Sequence, residues 1–143
     1  MSWTKTLDFD ALAPDAALPP LTVAVTTKGI VAGAVATRDF QDVHHDAERA
    51  RELGSPNIFM NILTTNGLVE RYVTEWAGPG AMLKSIAIRL GAPNYPGDMM
   101  EFSGIVTGRD AATRTLAVSV EGKNARGTHV SASVKLHFPR DGK

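Results

Sequence analysis

The chain of 143 residues contains no cysteine. This absence excludes a disulfide framework, a metal site built from thiolates and a cysteine nucleophile. An excess of either charge is also lacking, because 15 lysine and arginine residues balance 15 aspartate and glutamate residues. No overall field therefore exists to attract nucleic acid or an anionic membrane, and we expect neither as a partner.

Long apolar segments are absent as well. No run approaches the roughly 18 apolar residues that are needed to cross a bilayer. Residues 1–10 include Lys5, Asp8 and Asp10 and contain no apolar block of signal-peptide length. These features predict a soluble cytoplasmic protein, and the length of 143 residues predicts one domain with a single core.

The N-terminal segment differs in composition from the rest. Residues 11–20 are rich in proline and alanine and have no usable apolar period, which predicts an extended arm. We therefore assign residues 1–20 to an N-terminal arm and residues 21–143 to a single domain. The domain starts with a period-2 alternation typical of a half-buried strand, at Leu21, Val23 and Val25.

Two short helices are predicted next. Residues 28–37 are small and apolar, and their Gly29 and Gly33 weaken a helix, which is accepted where a neighbouring backbone or a ligand approaches closely. After a polar interruption, Asp46 is a candidate N-cap and Gly54 a stop for a second short helix.

The longest periodic segment predicts a central helix over residues 58–76, running through the Asn66-Gly67 pair. Its apolar stripe consists of Ile58, Ile62, Val69, Val73 and Trp76, flanked by Leu63 and Tyr72. The C-terminal half then alternates as four strands, marked by Ile86, Phe102, Leu116 and Val130. This order of elements predicts an α+β fold, in which an antiparallel sheet of about five strands wraps around one long central helix.

The segment from Ala36 to Asp46 contains the candidate catalytic residues. Asp39 and His44 can do general acid and base work together if the loop between them turns back on itself. A solvated polar loop is the alternative that the spacing alone favours. A metal site of imidazole and carboxylate ligands is a further alternative, formed by Asp39, Asp42, His44, His45 and Asp46, although adjacent histidine side chains diverge on most backbones.

Residues 38–46 resemble the Gly-Asp-x-Asn-Pro-apolar-His-x-Asp signature of the MaoC-like (R)-specific enoyl-CoA hydratases. Asp39, Val43, His44 and Asp46 match it, whereas Arg38, Gln41 and Asp42 replace its Gly, Asn and Pro. Residues 87–98 are similar to a second family motif, Arg-Phe-x-x-Pro-Val-x-Pro-Gly-Asp. The likeness covers residues 20–138 and is strongest to the short subunit of actinobacterial two-subunit hydratases of cholesterol side-chain degradation, which share the run Ala-Thr-Arg-Asp-Phe-Gln-Asp-Val-His-His-Asp.

The resemblance implies a hotdog fold and a subunit that hydrates a 2-enoyl-CoA, possibly with a steroid side chain. It implies Asp39 and His44 as the catalytic pair, and Asn61 and Ile62 at the oxyanion and substrate pocket. Weaker candidates for binding coenzyme A are Arg89, Pro93, Asn124 and Arg126. It further implies no metal, no cofactor apart from the coenzyme A of the substrate, and a hetero-oligomer with a second MaoC-like subunit, with a homodimer as the runner-up.

Two other functions remain open on the sequence. One is a non-catalytic hotdog subunit that binds acyl-CoA and supports the active site of a partner. The other is a thioesterase, although the acid or glutamine that such enzymes use on the central helix is not evident between Ile58 and Trp76, where Glu70 is expected to be exposed. His129 and His137 are predicted to be surface residues.

Overall fold

The computed structural model of the protein describes residues 4–140. One antiparallel sheet has the strand order β1-β3-β4-β5-β2. Its strands are β1 (Ala17–Ala24), β2 (Met82–Leu90), β3 (Met99–Asp110), β4 (Thr115–Asn124) and β5 (Gly127–His137). The helices are α1 (Thr27–Ala36), α2 (Ala47–Glu52) and α3 (Ile62–Ala77), with 3-10 turns at Phe9–Ala11 and Asp42–His44. This confirms the predicted α+β class, with five strands and one long helix.

The core lies between α3 and the inner face of the sheet. Along α3, the buried side chains are Thr65, Val69, Tyr72, Val73 and Ala77, which share one helical face. Opposite them the strands bury alternate residues, including Met100, Phe102, Leu116, Val118 and Val134. The rings of Tyr72 and Phe102 stack with centroids 5.4 Å apart. The continuation of the helix through Asn66-Gly67 is confirmed.

The predicted start of the central helix at residue 58 is wrong. The helix begins at Ile62, because the Asn61 side chain accepts a hydrogen bond from the Thr64 N–H and caps it there. Ile58 is still buried, but it precedes the helix. Ile62 of the predicted stripe and its flanking residue Leu63 lie in the first turn of the helix and are 49% and 50% exposed.

The sheet begins earlier than the sequence predicts. β1 starts at Ala17 and pairs with β3, so the last four residues of the predicted arm, 17–20, belong to the sheet. Pro19 and Pro20 are tolerated there because β1 lies at a sheet edge, and the register shifts between Leu18 and Leu21. Residues 1–3 of the predicted arm and residues 141–143 of the predicted domain lie outside the described residues.

The prediction that His129 is a surface residue is also wrong, since only 2% of it is exposed. In the β4–β5 ladder, Gly122 pairs with Val130 and Lys123 with Thr128, and the shift between these pairs leaves His129 unpaired. This bulge breaks the period of two, so that His129 and Val130 are both buried. His137, in contrast, is partly exposed and contacts the Thr113 carbonyl with its Nδ1, as expected for a residue outside the core.

The short helices follow their predicted signals. Asp46 caps α2 by accepting from the N–H groups of Glu48 and Arg49, and Gly54 follows its end with a φ of 91°. In α1, Gly33 lies directly against Thr64 of α3, so that a Cβ at this position would overlap the threonine side chain. A close approach is therefore present at Gly33, although the group that approaches is a side chain and not the backbone or ligand that the sequence predicted. Within residues 4–140, none of the helices has the length and apolar content of a membrane span.

We predict that Gly33→Ala lowers the free energy of unfolding by about 1–2 kcal/mol, because α1 must move away from α3 to accommodate the added methyl group. The matched control is Gly67→Ala, where nothing lies within 4 Å of the added Cβ in the described part of the chain. That substitution is expected to stabilise the protein by about 0.5–1 kcal/mol through helix propensity. Urea unfolding measures both, and equal effects of the two substitutions would contradict close packing at Gly33.

Candidate active site

Asp39 is positioned by the C-terminal end of α1. Its N–H donates to the Ala34 carbonyl at 2.9 Å, while the Arg38 N–H donates to the Val35 carbonyl at 3.1 Å. This pair of hydrogen bonds is the Schellman arrangement, which ends a helix and turns the chain away from its axis. Asp39 thus stands directly beyond the helix, with 16% of its side chain exposed.

The turn needs a left-handed residue before Asp39, and Arg38 supplies it with a φ of 58°. Glycine adopts this conformation without strain, which gives a physical reason for the glycine of the hydratase signature. Arginine adopts it at a cost of about 1 kcal/mol. Asp39 Oδ1 also accepts from the Gln41 N–H at 3.4 Å, so the turn forms without the Asn-Pro pair of the signature.

His44 ends the 3-10 turn Asp42–His44 and is 5% exposed. Its Nδ1 lies 2.7 Å from the Phe59 carbonyl oxygen. Because that oxygen only accepts, Nδ1 carries a proton and donates it. Nε2 therefore faces Asp39, at 3.3 Å from Oδ2, and in the neutral ring it is an acceptor. The Phe59 ring packs edge-on against the imidazole, with centroids 5.0 Å apart.

Asn61 connects Asp39 to the central helix. Its Nδ2 donates to Asp39 Oδ2 at 3.0 Å and to Thr37 Oγ1 at 2.9 Å, and its Oδ1 accepts from the Thr64 N–H at 3.0 Å. One buried amide therefore caps α3 and holds the carboxylate beyond the end of α1. The hydrogen bond from Asn61 lowers the pKa of Asp39, with smaller contributions from the Gln41 N–H and from His44, against the opposing effect of burial. Asp39 is consequently ionised, and available as a base, at a lower pH than an ordinary aspartate.

Asp39 and His44 open into a cavity of about 300 Å³. Five of the residues predicted from the sequence line it, namely Asp39, His44, Asn61, Ile62 and Pro93. The remaining wall includes Phe59, Met60, Leu90, Ala92 and His129. The structure thus brings both catalytic candidates, both pocket candidates and one coenzyme A candidate to one place.

The other coenzyme A candidates are not among the residues that line this cavity. Arg89 is exposed on the edge strand β2. Asn124 Nδ2 donates to the Pro93 carbonyl at 2.9 Å and to Asn94 Oδ1 at 2.8 Å, which fastens the loop between β2 and β3. Arg126 forms an ion pair with Asp98 and lies over the Tyr95 ring, 4.8 Å from its centroid. Asn124 and Arg126 therefore have structural partners, and their role toward coenzyme A stays a prediction.

The two adjacent histidines point in different directions. His45 Nε2 lies 3.2 Å from the Phe40 carbonyl and 3.9 Å from Asp42 Oδ1, on the outside, whereas His44 faces Asp39. Among residues 4–140, no group of three histidine, aspartate or glutamate side chains is arranged to hold a metal ion.

Sequence reasoning missed His129 as a residue of the site. It missed it because the alternation along β5 gives no sign of the bulge at this position. The one available signal was the residue type, since a histidine beside Val130 in a buried strand requires hydrogen-bond partners. Phe59 and Met60 were likewise assigned to the helix, although they belong to the extended segment that lines the cavity.

The comparisons with known proteins agree with this geometry. Residues 12–127 match the family model of the MaoC like domain. The chain is 53% identical, over 85% of its length and 92% of the relative's, to the 3-oxo-4,17-pregnadiene-20-carboxyl-CoA hydratase beta subunit of Mycobacterium tuberculosis.

Solved structures give the same result. A chain in the crystal structure of the ChsH1-ChsH2 complex from Mycobacterium tuberculosis has a TM-score of 0.86 and 50% identity, covering 89% of this chain and 98% of that one. The unliganded R-hydratase PhaJ1 from Pseudomonas aeruginosa, at 16% identity, shares the fold with a TM-score of 0.86, covering 96% of this chain and 89% of that one. The predicted hotdog fold is therefore confirmed. With more than half of its length matched by the family model, this chain belongs to the MaoC-like domain family.

Proposed function

We propose that this chain is the catalytic subunit of an enoyl-CoA hydratase, which adds water to a 2-enoyl-CoA to give a 3-hydroxyacyl-CoA. The observation that carries the proposal is that Asp39 Oδ2 and His44 Nε2 face each other at 3.3 Å in one cavity. Both atoms lie within hydrogen-bond reach of one and the same water position, Oδ2 as an acceptor and Nε2 as the ring nitrogen that the Phe59 carbonyl does not occupy. The relative from Mycobacterium tuberculosis is also a hydratase subunit.

In the addition step, the water oxygen attacks C3 of the enoyl group while Asp39 removes one of its protons. The depressed pKa of Asp39 keeps the carboxylate ionised for this role, and the Asn61 amide and Gln41 N–H keep it in place. His44 orients the water through Nε2, because the bond from Nδ1 to the Phe59 carbonyl prevents the ring from turning. The C3–O bond forms as the C2–C3 π electrons move toward the thioester.

The negative charge that develops on the thioester oxygen needs N–H donors. The first turn of α3 supplies them, since the N–H groups of Ile62 and Leu63 have no carbonyl partner within the helix. The positive end of the helix dipole favours charge at the same place. The enolate then takes up at C2 the proton that Asp39 removed from the water, and His44 helps to deliver it. One water is added in total, and both side chains return to their starting states.

The cavity of this chain is small for a bulky acyl group, since ligand sites span about 300–1,000 Å³ and this one has about 300 Å³. Ile62, Leu63 and Leu90, at or next to its wall, are 49%, 50% and 39% exposed. β2 also forms an edge of the sheet. We therefore include in the proposal a second MaoC-like subunit, which would pair with this chain and enlarge the acyl site.

Three further features belong to the same proposal. The acyl group is that of a steroid side-chain enoyl-CoA, by analogy with the name of the relative from Mycobacterium tuberculosis. The reaction uses no cofactor, since coenzyme A is part of the substrate. The protein acts in the cytoplasm.

We predict that Asp39→Asn and His44→Ala each lower the hydration rate by about 10²–10⁴-fold, the usual effect of removing a general acid or base. The control is His45→Ala, whose side chain points outward and is expected to leave the rate nearly unchanged. The measurement is a direct assay of the hydration of crotonyl-CoA or of a steroid enoyl-CoA. Near-normal turnover of both folded variants would favour the non-catalytic subunit instead.

Chelation tests the metal alternative. Hydration is expected to proceed at the same rate after exhaustive treatment with a chelator, because Asp39 and His44 perform the proton transfers without a metal-bound water. The measurement compares initial rates before and after treatment and after adding back single divalent ions. A loss of activity that one ion restores would show that the mechanism above is incomplete.

The partner is tested by size and by activity. Light scattering compares the chain alone with the chain expressed together with a second MaoC-like protein, and an oligomer that contains both is expected. The second chain is expected to be required for full activity on a steroid enoyl-CoA. Equal activity with and without the second chain would contradict the heteromer. A fully active monomer at nanomolar concentration would contradict a homodimer as well.

A further inference from the structure

A buried chain of hydrogen bonds reaches Asp39 from the opposite wall of the cavity. It starts at the Ala92 carbonyl, which lies 2.7 Å from His129 Nδ1. His129 Nε2 lies 2.8 Å from Thr65 Oγ1 on α3. The Thr65 N–H donates to the Asn61 carbonyl at 3.2 Å, and the Asn61 amide donates to Asp39 Oδ2. Four residues are thereby connected to the carboxylate: Ala92 of the loop after β2, His129 of β5, and Thr65 and Asn61 of α3 and its cap.

The direction of these bonds follows from the partners. The Ala92 carbonyl only accepts, so His129 Nδ1 carries a proton and donates it. Burial lowers the pKa of His129, against the opposing effects of the Ala92 carbonyl and Asp98, so the ring is neutral and Nε2 is an acceptor. The Thr65 hydroxyl therefore donates to His129, and its longer contact of 3.3 Å to the Asn61 carbonyl is secondary.

The fold provides for this contact at two places. The bulge in β5 turns His129 inward, between the cavity and α3, where it is 2% exposed. Thr65 lies on the buried face of α3 together with Val69 and Val73, and none of its surface is exposed. A polar pair inside a core is stable only when both members are satisfied, and bulges beside active sites commonly redirect a side chain.

We propose that His129 is a positioning residue of the hydration reaction, which acts through Thr65 to hold the first turn of α3, and with it Asn61 and Asp39, at the distance from the substrate that proton transfer requires. The inference rests on the proposed function. The neutral imidazole joins the loop wall at Ala92 to the helix, so that the two walls of the cavity keep a constant separation. A shift of the first turn would move Asp39 away from the attacking water and reduce the rate without removing a binding contact.

Two substitutions of His129 separate its two hydrogen bonds. In His129→Asn the amide nitrogen takes the place of Nδ1 and keeps the bond to Ala92, but no acceptor reaches Thr65. In His129→Gln the amide oxygen takes the place of Nε2 and keeps the bond to Thr65. Thr65→Val removes the hydroxyl at nearly constant volume, and Thr65→Ser restores it. His137→Asn, at a partly exposed position on the same strand, is the control.

The test measures kcat, KM and the melting temperature of each variant in the preparation that gives full wild-type activity. Thr65→Val and His129→Asn are expected to lower kcat by roughly 10-fold with KM changed less than about twofold, within the loss of up to about 10²-fold that misplacing a catalytic group causes. Thr65→Ser and His129→Gln are expected to recover most of kcat. The double variant Thr65→Val/His129→Asn is expected to be no slower than either single one.

Equal losses of kcat in His129→Asn and His129→Gln, or losses confined to the melting temperature, would show that His129 only packs the core, and would overturn the proposal. If His129→Asn does not fold, the Thr65→Val and Thr65→Ser pair decides by the same criterion. Asp39→Asn in the same assay separates the two proposals. Full activity of Asp39→Asn removes the proposed function and the positioning role together, whereas an inactive Asp39→Asn beside a normal kcat in Thr65→Val and His129→Asn removes the positioning role alone.

Discussion

The packing of α3 against the inner face of the sheet is the constraint on which the rest of the structure depends. Val69, Tyr72 and Val73 are completely buried there, and the strands that meet them contribute most of the core. Because this buried face is closely packed, it also determines the position of the first turn of α3. Asn61, at the start of that turn, bonds Asp39, and the Phe59 carbonyl in the segment that leads to it accepts from His44.

Asn61 links the packed helix to the catalytic carboxylate of Asp39. An N-cap needs only a side-chain oxygen, and Ser, Thr or Asp would serve equally well. The amide of asparagine adds a donor, which bonds both Thr37 and Asp39 while the oxygen caps the helix. The same residue therefore caps the helix N-terminus through the Thr64 N–H and favours the ionised form of the carboxylate. Its main chain stands next to the N–H groups that would face the thioester.

The single chain provides the reacting groups but a small space around them. Its sheet ends in β1 and β2, and large apolar side chains are exposed beside the cavity. The prolines of β1 protect one edge against further pairing. β2 has no proline, and its exposed edge and apolar side chains are the features that a second hotdog chain would cover. The small cavity and the exposed apolar side chains beside it thus agree with a site that is completed between subunits.

The sequence by itself determined the elements whose signals are local: the Asp46 cap, the Gly54 stop, the alternating strands, and the spacing of Asp39 and His44, which a family signature made recognisable. The Asn61 cap marks the start of α3 locally, but Ile58, Phe59 and Met60 conceal it because they continue the apolar pattern without being helical, and tertiary structure decided where these three residues lie. It also placed His129 inside the core. The bulge at this position depends on the register between β4 and β5, and the sequence of one strand does not show how it pairs with the next. The two segments that hold Asp39 and His129 are distant in the chain and meet only after the helix has packed against the sheet.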